Sequence, residues 1–434
     1  MHMKTKLVIF GITGELSISK LLPALEQIIS TDDFKDISVL GVTRQKGVET
    51  KELIQKALGD KKNNLEGKLE LLPMDLAEKS SYVELKKRVS LEKNEQLLVY
   101  LSVPPRAATQ IVCSLGEVGL NTPNVKILFE KPFGWDLESA KDMLERTERY
   151  FKDEQIYRID HYLAKEMAQN IIAFRSSNAL FSDVWSKEYI HSIVVTMGES
   201  DRIHNRPSFD QLGSLRDVLQ NHVLQLLALT IMDTPKDLDW DEMPKLRLKA
   251  LQGLETAKPE NAMRAQYEGY RDDVQAPNSL TETFVSLTLF SNAPRWQGVP
   301  MKLTAGKALK EKTSEVRVRL CKKTDKSQCN EIVFRLDGTH TGIDMEAFVE
   351  KPGLKSDFEI RHLGLRFPED AKLPEAYERV IMDAITSRKS LFTSGEEVLE
   401  SWRILQSVQD TWSADSQPLK TYPIGSDINE IINT

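Results

Sequence analysis

Between Arg158 and Glu166 the chain reads RIDHYLAKE, setting Arg158, Asp160, His161, Tyr162, Lys165 and Glu166 within nine positions. Cations, an imidazole and carboxylates at this density can grip an anion and steer a proton. On a helix, Arg158, His161 and Lys165, spaced three and four apart, would share a face, with Asp160 turned roughly 100° from His161. The same residues also read as a solvated surface helix, and other parts of the chain must decide between the two. A second chemical stretch is SLRDVLQNHVLQLL (214–227), where Asp217 and His222 stand five apart beside an apolar stripe of Leu215, Val218, Leu219, Val223, Leu226 and Leu227. A lone histidine on such a helix is more often a core residue than a catalyst; it gains a role when a carboxylate meets it.

Two shorter motifs point to phosphate. GITG (11–14) places Gly11 and Gly14 around Ile12 and Thr13, directly after the apolar run KLVIF (6–10) and before a helical pattern. Glycine lets the backbone turn sharply and approach a pyrophosphate, and a helix start supplies N–H groups and partial positive charge. The pattern is Gly-x-x-Gly only, which a plain tight turn would also explain. GVTRQ (41–45) ends the next apolar run in Arg44 and Gln45, where an NAD site would offer Asp or Glu to the ribose. A guanidinium there suits the 2′-phosphate of NADP, with the Thr13 hydroxyl as a further donor, although an ordinary loop arginine reads the same. In EKPFG (130–134), Lys131 would project at a strand's carboxyl edge, where coenzyme meets substrate, or serve as a turn cation.

These residues need elements to carry them. Apolar runs at 6–10, 37–42, 68–73, 97–104 and 125–130 alternate with amphipathic stretches near 49–58, 80–90, 106–118 and 136–152. Such alternation predicts a Rossmann-type, doubly wound parallel sheet. The first helix is drawn over 15–30, with Pro23 inside it as a kink or a later start. Beyond about 185 the strands lengthen and follow one another directly, at 189–200, 282–290, 299–306, 314–321 and 330–337. Helical patterns flank them at 161–180, 213–231, 374–387 and 395–411. That style predicts a larger α+β domain with a mostly antiparallel sheet. We therefore expect domains at 1–160 and 161–434, with charged loops at LKEKTSE and KKTDKSQCNE.

Composition narrows the classes. The 434 residues are 40% hydrophobic and 28% charged, ordinary for a globular chain with a sizeable core. A formal net charge of -7 argues against nucleic acid as partner. Cys113, Cys321 and Cys329 are too few and too unevenly spaced for a disulfide framework or a zinc site, so no metal is expected. No run reaches the ~18 apolar residues of a membrane span, and LVIFGITG lacks a cleavage pattern; the expectation is a cytoplasmic protein.

In order along the chain, EKPFG, DEQIYRIDHYLAKE, GSLRDVLQNHVLQ, TETFVSLTLF, RWQGVP, AGKAL and KLPEAYERVIMDAI resemble the glucose-6-phosphate dehydrogenase family. The likeness covers most of the chain, strongest from about 125 onward and weaker from 45 to 95. It implies a Rossmann-type NADP domain followed by an α+β domain whose sheet forms a dimer, hence a homodimer or homotetramer. The reaction it implies oxidises C1 of glucose 6-phosphate to 6-phosphogluconolactone, the first step of the oxidative pentose phosphate pathway. By motif, His222 matches the general base and Asp160 its carboxylate partner. His161, Tyr162 and Lys165 match phosphate ligands; Lys131, Glu199 and Asp217 match groups that hold sugar hydroxyls; Lys307 and Lys312 match further basic contacts. Gly11, Thr13, Gly14, Glu15, Leu16, Arg44, Gln45, Pro104 and Lys131 stand at coenzyme positions.

The sequence also departs from the family. Glu15, Ile18 and Ser19 follow the glycine turn where the family tends to Asp-Leu-Ala and basic residues, leaving NAD open as a secondary coenzyme. Asp337 stands where a glutamine substrate contact is common; it can accept from sugar hydroxyls but not donate, which bears on affinity or sugar preference. Thr304 stands where an arginine is often found, which argues against a second, structural NADP site. The alternative reading is a related NADP- or NAD-dependent dehydrogenase acting on another sugar or sugar phosphate.

Overall fold

In a computed structural model the described residues are 4–60, 63–204, 206, 208–235, 239–321, 329–337, 341–354, 357–368 and 370–433. The charged loop expected at KKTDKSQCNE lies largely outside them. The chain divides into two compact units: Met1–Gly134, Glu138–Ala164 and Pro374–Gly395 form the first, and Trp135–Leu137, Lys165–Leu373 and Glu396–Thr434 the second. This corrects the expected division at 160, because residues 161–164 and 374–395 group with the N-terminal unit.

In the first unit, β1 (Lys4–Phe10), β2 (Ile37–Thr43), β3 (Leu69–Pro73), β4 (Glu95–Leu101), β5 (Val125–Phe129) and β6 (Ile156–Ile159) pair in parallel in the order β6-β5-β4-β1-β2-β3. A two-residue strand, Phe392–Thr393, adds antiparallel to β6. Every residue of β4 and β5 is buried, as expected of a parallel sheet covered on both faces. Strand order reverses between β1 and β4, which opens a crevice at their carboxyl ends. The core continues into helix Ala376–Ile385 through Val380, Ile381 and Ala384. Buried Lys126 fixes the end of that helix, donating to Ala384 O (2.6 Å), Ile385 O (3.3 Å) and Ser387 Oγ (2.8 Å). The first helix keeps its course through Pro23: a π-helical turn, Ser17–Leu21, shifts the ladder just ahead of Leu22–Ile29, where the missing N–H is tolerated.

In the second unit, β7 (Ile190–Gly198), β8 (Ala262–Tyr267), β9 (Phe284–Leu289), β10 (Met301–Gly306), β11 (Thr313–Cys321), β12 (Cys329–Arg335), β13 (Gly342–Glu350) and β14 (Phe358–Arg366) form a sheet ordered β14-β13-β12-β11-β7-β10-β9-β8. Strand Lys420–Tyr422 joins β8 in parallel, β7 and β10 are also parallel, and the remaining pairs are antiparallel. Arg247 and Glu397, each wholly buried, join helices Met243–Gln252 and Gly395–Ala414 with Nε 2.8 Å from Oε1. Strands β6, β8, β13 and β14 were not foreseen from sequence. The hairpin register sets Cys321 opposite Cys329, and a disulfide joins them with Cα atoms 4.1 Å apart, although their spacing predicted no bridge. Among the described residues no helix is long and apolar enough to cross a membrane.

Candidate active site

In the first unit the chain leaves β1 through Gly11, whose φ of 79° is left-handed. A Cβ there would stand 2.1 Å from the Ser102 carbonyl oxygen, so no side chain fits. The turn is tied by Gly11 N–H to Val42 O (3.1 Å), Gly14 N–H to Gly11 O (2.9 Å) and the Ser17 hydroxyl to Gly11 O (3.0 Å). Helix begins at Glu15, so the N-terminal end of a helix faces the crevice end of β1. Thr13 and Leu16 are half-buried and Glu15 exposed. Arg44 and Gln45 follow β2 directly, both exposed, and Gln45 N–H donates to Thr43 Oγ1 (3.1 Å). Pro104, past β4, is the cap residue of helix Pro105–Glu117. A turn that admits no side chain at Gly11, a helix start and a guanidinium past the second strand fit a dinucleotide carrying a ribose phosphate.

Past β5, the Tyr100 hydroxyl donates to Glu130 Oε1 at 2.5 Å. Burial pushes the Glu130 carboxyl up to about 7, against the pull of Tyr100 and Lys131 and with a further push from Asp160. The Lys131–Pro132 peptide is cis. Asp160, only 2% exposed, follows β6; its Oδ1 accepts the Tyr162 N–H (3.0 Å) and its carbonyl the Leu163 N–H (3.0 Å). The His161 ring lies 4.9 Å from that of Tyr162, and 6.2 Å from that of Tyr377 at an interplanar angle of 14°. The Tyr377 phenol is pushed well up by burial and by the charges of Glu130 and Asp160.

RIDHYLAKE is therefore not a helix. Arg158 and Ile159 close β6, 161–164 form a turn and helix Glu166–Ser177 begins only after Lys165. The expected shared face of Arg158, His161 and Lys165 does not exist. One cause is local: the Asp160 side chain takes the Tyr162 N–H, a bond that competes with a helical ladder. Arg158 is 2% exposed and bonds Asp153 Oδ1 at 2.5 Å, a structural ion pair.

In the second unit, His222 and Asp217 both lie on a π-helix, Leu215–Val223, and both are buried. Residues five apart would sit roughly 140° apart around an α-helix. In a π-helix the i→i+5 repeat brings them to one side, so the local widening gives the Asp217–His222 spacing its meaning. The widened turn starts from a sharp bend at Gly213 (φ 67°), where Glu282 caps the helix. Leu215 N–H donates to Glu282 Oε1 (3.0 Å) and Ser214 N–H to Glu282 O (3.0 Å). A Cβ on Gly213 would meet Glu282 Oε1 at 2.3 Å. Burial raises the Glu282 carboxyl above its ordinary value. Asn221 Oδ1 accepts the His222 N–H at 2.7 Å.

Two ionic triads complete the site. Parallel pairing of β7 with β10 sets Gly198 beside Gly306, and hence Glu199 beside Lys307. Lys307, 3% exposed, bonds Glu199 Oε1 and stands 3.8 Å from Asp217 Oδ2, with its ammonium 5.7 Å from the Phe209 ring centre. In the second triad Lys165 bonds Asp337 Oδ2, and Lys312 lies 3.7 Å from the same oxygen. Two anions on one cation make the first triad formally negative; two cations on one anion make the second positive.

Residues 8–170 match the family described as glucose-6-phosphate dehydrogenase, NAD binding domain, and residues 172–432 its C-terminal domain. The chain belongs to the glucose-6-phosphate dehydrogenase family. It is 32% identical to the glucose-6-phosphate 1-dehydrogenase of Chlamydia muridarum, over 97% of this chain and 92% of that one. A solved glucose-6-phosphate dehydrogenase in complex with its substrate glucose 6-phosphate superimposes with a TM-score of 0.91 at 27% identity, covering 100% of this chain and 97% of the other. The Mycobacterium avium enzyme gives a TM-score of 0.86 at 30% identity, covering 98% and 95%.

Measured against the expectations for a glucose-6-phosphate dehydrogenase, the structure brings Glu199, Asp217 and Lys307 into one cluster and Lys165 and Lys312 into another. His161 and Tyr162 belong to the first unit and Lys165 to the second. Sequence reading missed Glu282 and Tyr377 as site residues. Both sit inside the quoted motifs TETFVSLTLF and KLPEAYERVIMDAI, the only signal that could have found them.

Proposed function

We infer that the chain oxidises C1 of β-D-glucose 6-phosphate to 6-phospho-D-glucono-1,5-lactone with NADP as acceptor. Family membership across both domains carries this reading. NADP, when bound, would supply the hydride acceptor; the Gly11–Gly14 turn would hold its pyrophosphate and Arg44 its 2′-phosphate. In our reading Lys165 and Lys312, with His161 and Tyr162, take the 6-phosphate, whose binding orients C1. The negative triad suits the hydroxyl end of the sugar: Glu199 and Asp217 accept from hydroxyls, Lys307 donates, and Lys131 adds a donor at the end of β5. His222 removes the C1 hydroxyl proton as the carbonyl forms, and Asp160 fixes its tautomer and stabilises the imidazolium. Burial of both groups supports these roles.

We further propose that the chain pairs with a second copy through β14, which leaves Phe358, Ile360, Leu363 and Leu365 exposed. The decisive assay is a panel of hexoses and hexose 6-phosphates with NADP and NAD, following reduced-coenzyme absorbance. Glucose 6-phosphate with NADP should be the fastest pair. Faster turnover of free glucose or another hexose phosphate would overturn the reading.

A further inference from the structure

The second triad is built unlike the Arg247–Glu397 pair of the same unit. Arg247 and Glu397 are wholly buried and meet two nitrogens to two oxygens, the geometry of a fixed clasp. In the triad a single oxygen, Asp337 Oδ2, serves both Lys165 and Lys312. The groups are 18%, 19% and 58% exposed for Lys165, Asp337 and Lys312, so an incoming anion can reach them. Hairpin register explains why the carboxylate is there: Glu315 pairs with Arg335, and Leu336 N–H donates to Ser314 O. Asp337 thereby lies level with Thr313, one residue from Lys312.

We propose that Asp337 is an internal counter-anion, holding the two lysines in place of the 6-phosphate and leaving them when phosphate binds. The inference rests on the reading of Lys165 and Lys312 as phosphate ligands. A phosphate monoester carries about −1.5 to −2 charge and three acceptor oxygens, so it satisfies two ammonium groups better than one carboxylate oxygen does. It must also tolerate or expel a like charge a few ångströms away, which disfavours the bound state. Asp337 therefore aims the lysines in the empty site and sets the affinity for the phosphate. It is a positioning and affinity-setting residue, acting through the lysines.

The test is Asp337→Asn, which keeps the shape and removes the charge. Binding of inorganic phosphate, read by calorimetry, should tighten about tenfold, equivalent to about 1.4 kcal/mol. KM for glucose 6-phosphate should fall by a similar factor, with a smaller change in kcat, while KM for free glucose, which brings no anion, should not follow. Phosphate binding that is unchanged or weaker overturns the proposal, and so does an equal shift for free glucose, which would make Asp337 a direct sugar contact. Asp337→Gln repeats the measurement; if neither variant folds, the carboxylate is a structural clasp and the proposal fails. The calorimetric arm needs no turnover, so a wild-type chain inactive on glucose 6-phosphate would sink the functional reading without deciding this one.

Discussion

The triad around Lys307 and the triad around Asp337 invert one another. In the first, one buried ammonium answers two carboxylates; in the second, one half-buried carboxylate answers two ammonium groups. On the proposed function, the difference teaches how strand ends and helices of one unit prepare for two ends of a substrate. In our reading, Glu199 and Asp217 are the acceptors that sugar hydroxyls want, and Lys165 and Lys312 the cations that a phosphate wants. Burial differs in the same sense. Lys307, at 3% exposure, is held for good by its partners, whereas Lys312, at 58%, can move to a new one.

In the proposed function both triads bind rather than transfer protons, so the contrast breaks if the base cannot be separated from them. His222→Ala should lower kcat by ~10² to 10⁴ and leave inorganic phosphate binding as it was. Unchanged turnover in stopped-flow assays removes His222 from the role of base. The next effect is on stability: Lys307→Met removes the buried cation that Glu199 and Asp217 share and should cost about 3 to 5 kcal/mol in urea unfolding. A loss of under ~1 kcal/mol would show that the first triad is as loosely held as the second.

Lys165→Ala removes a charge-assisted contact worth about 1.5 to 3 kcal/mol, a rise of roughly tenfold to a hundredfold in KM for glucose 6-phosphate. Equal losses for glucose and its 6-phosphate would erase the assignment of the positive triad to phosphate.

A carboxylate outside both triads gives an effect that appears only as pH changes. Glu130 meets the Tyr100 hydroxyl, and burial raises it from an ordinary 4.5 to about 7. A raised carboxyl favours the folded state in its protonated form. Its contribution is fully present below pH 4.5 and lost as pH rises through about 7. Relative to wild type, Glu130→Gln should therefore gain up to ~3 kcal/mol between pH 4.5 and 7, read as the difference of two Tm-against-pH curves. Parallel curves would mean that Glu130 titrates normally.

How far these sites could be read in advance depended on where their physics lies. The fully buried strands β4 and β5 announce themselves as apolar runs. β13 and β14 do not, because their residues are mostly half-buried or exposed and the pattern lacks a core face. In RIDHYLAKE the charge spacing at three and four is compatible with a helix but does not require one. The choice was made instead by the Asp160 side chain bonding the Tyr162 N–H and by pairing of Ile159 with Phe392, more than two hundred residues away.

Sequence alone determined which residue types this chain brings to its chemistry, and the alternation that forces a parallel sheet with Gly11 at the end of its first strand. Those are local facts, written in periodicity and in the one residue that tolerates a positive φ. Only tertiary structure decided that Asp217 and His222 face the same way, through a widened helical turn capped by Glu282, and that Asp337 stands between two lysines. Register and packing join residues far apart in the chain, and no local pattern encodes which carboxylate will meet which ammonium.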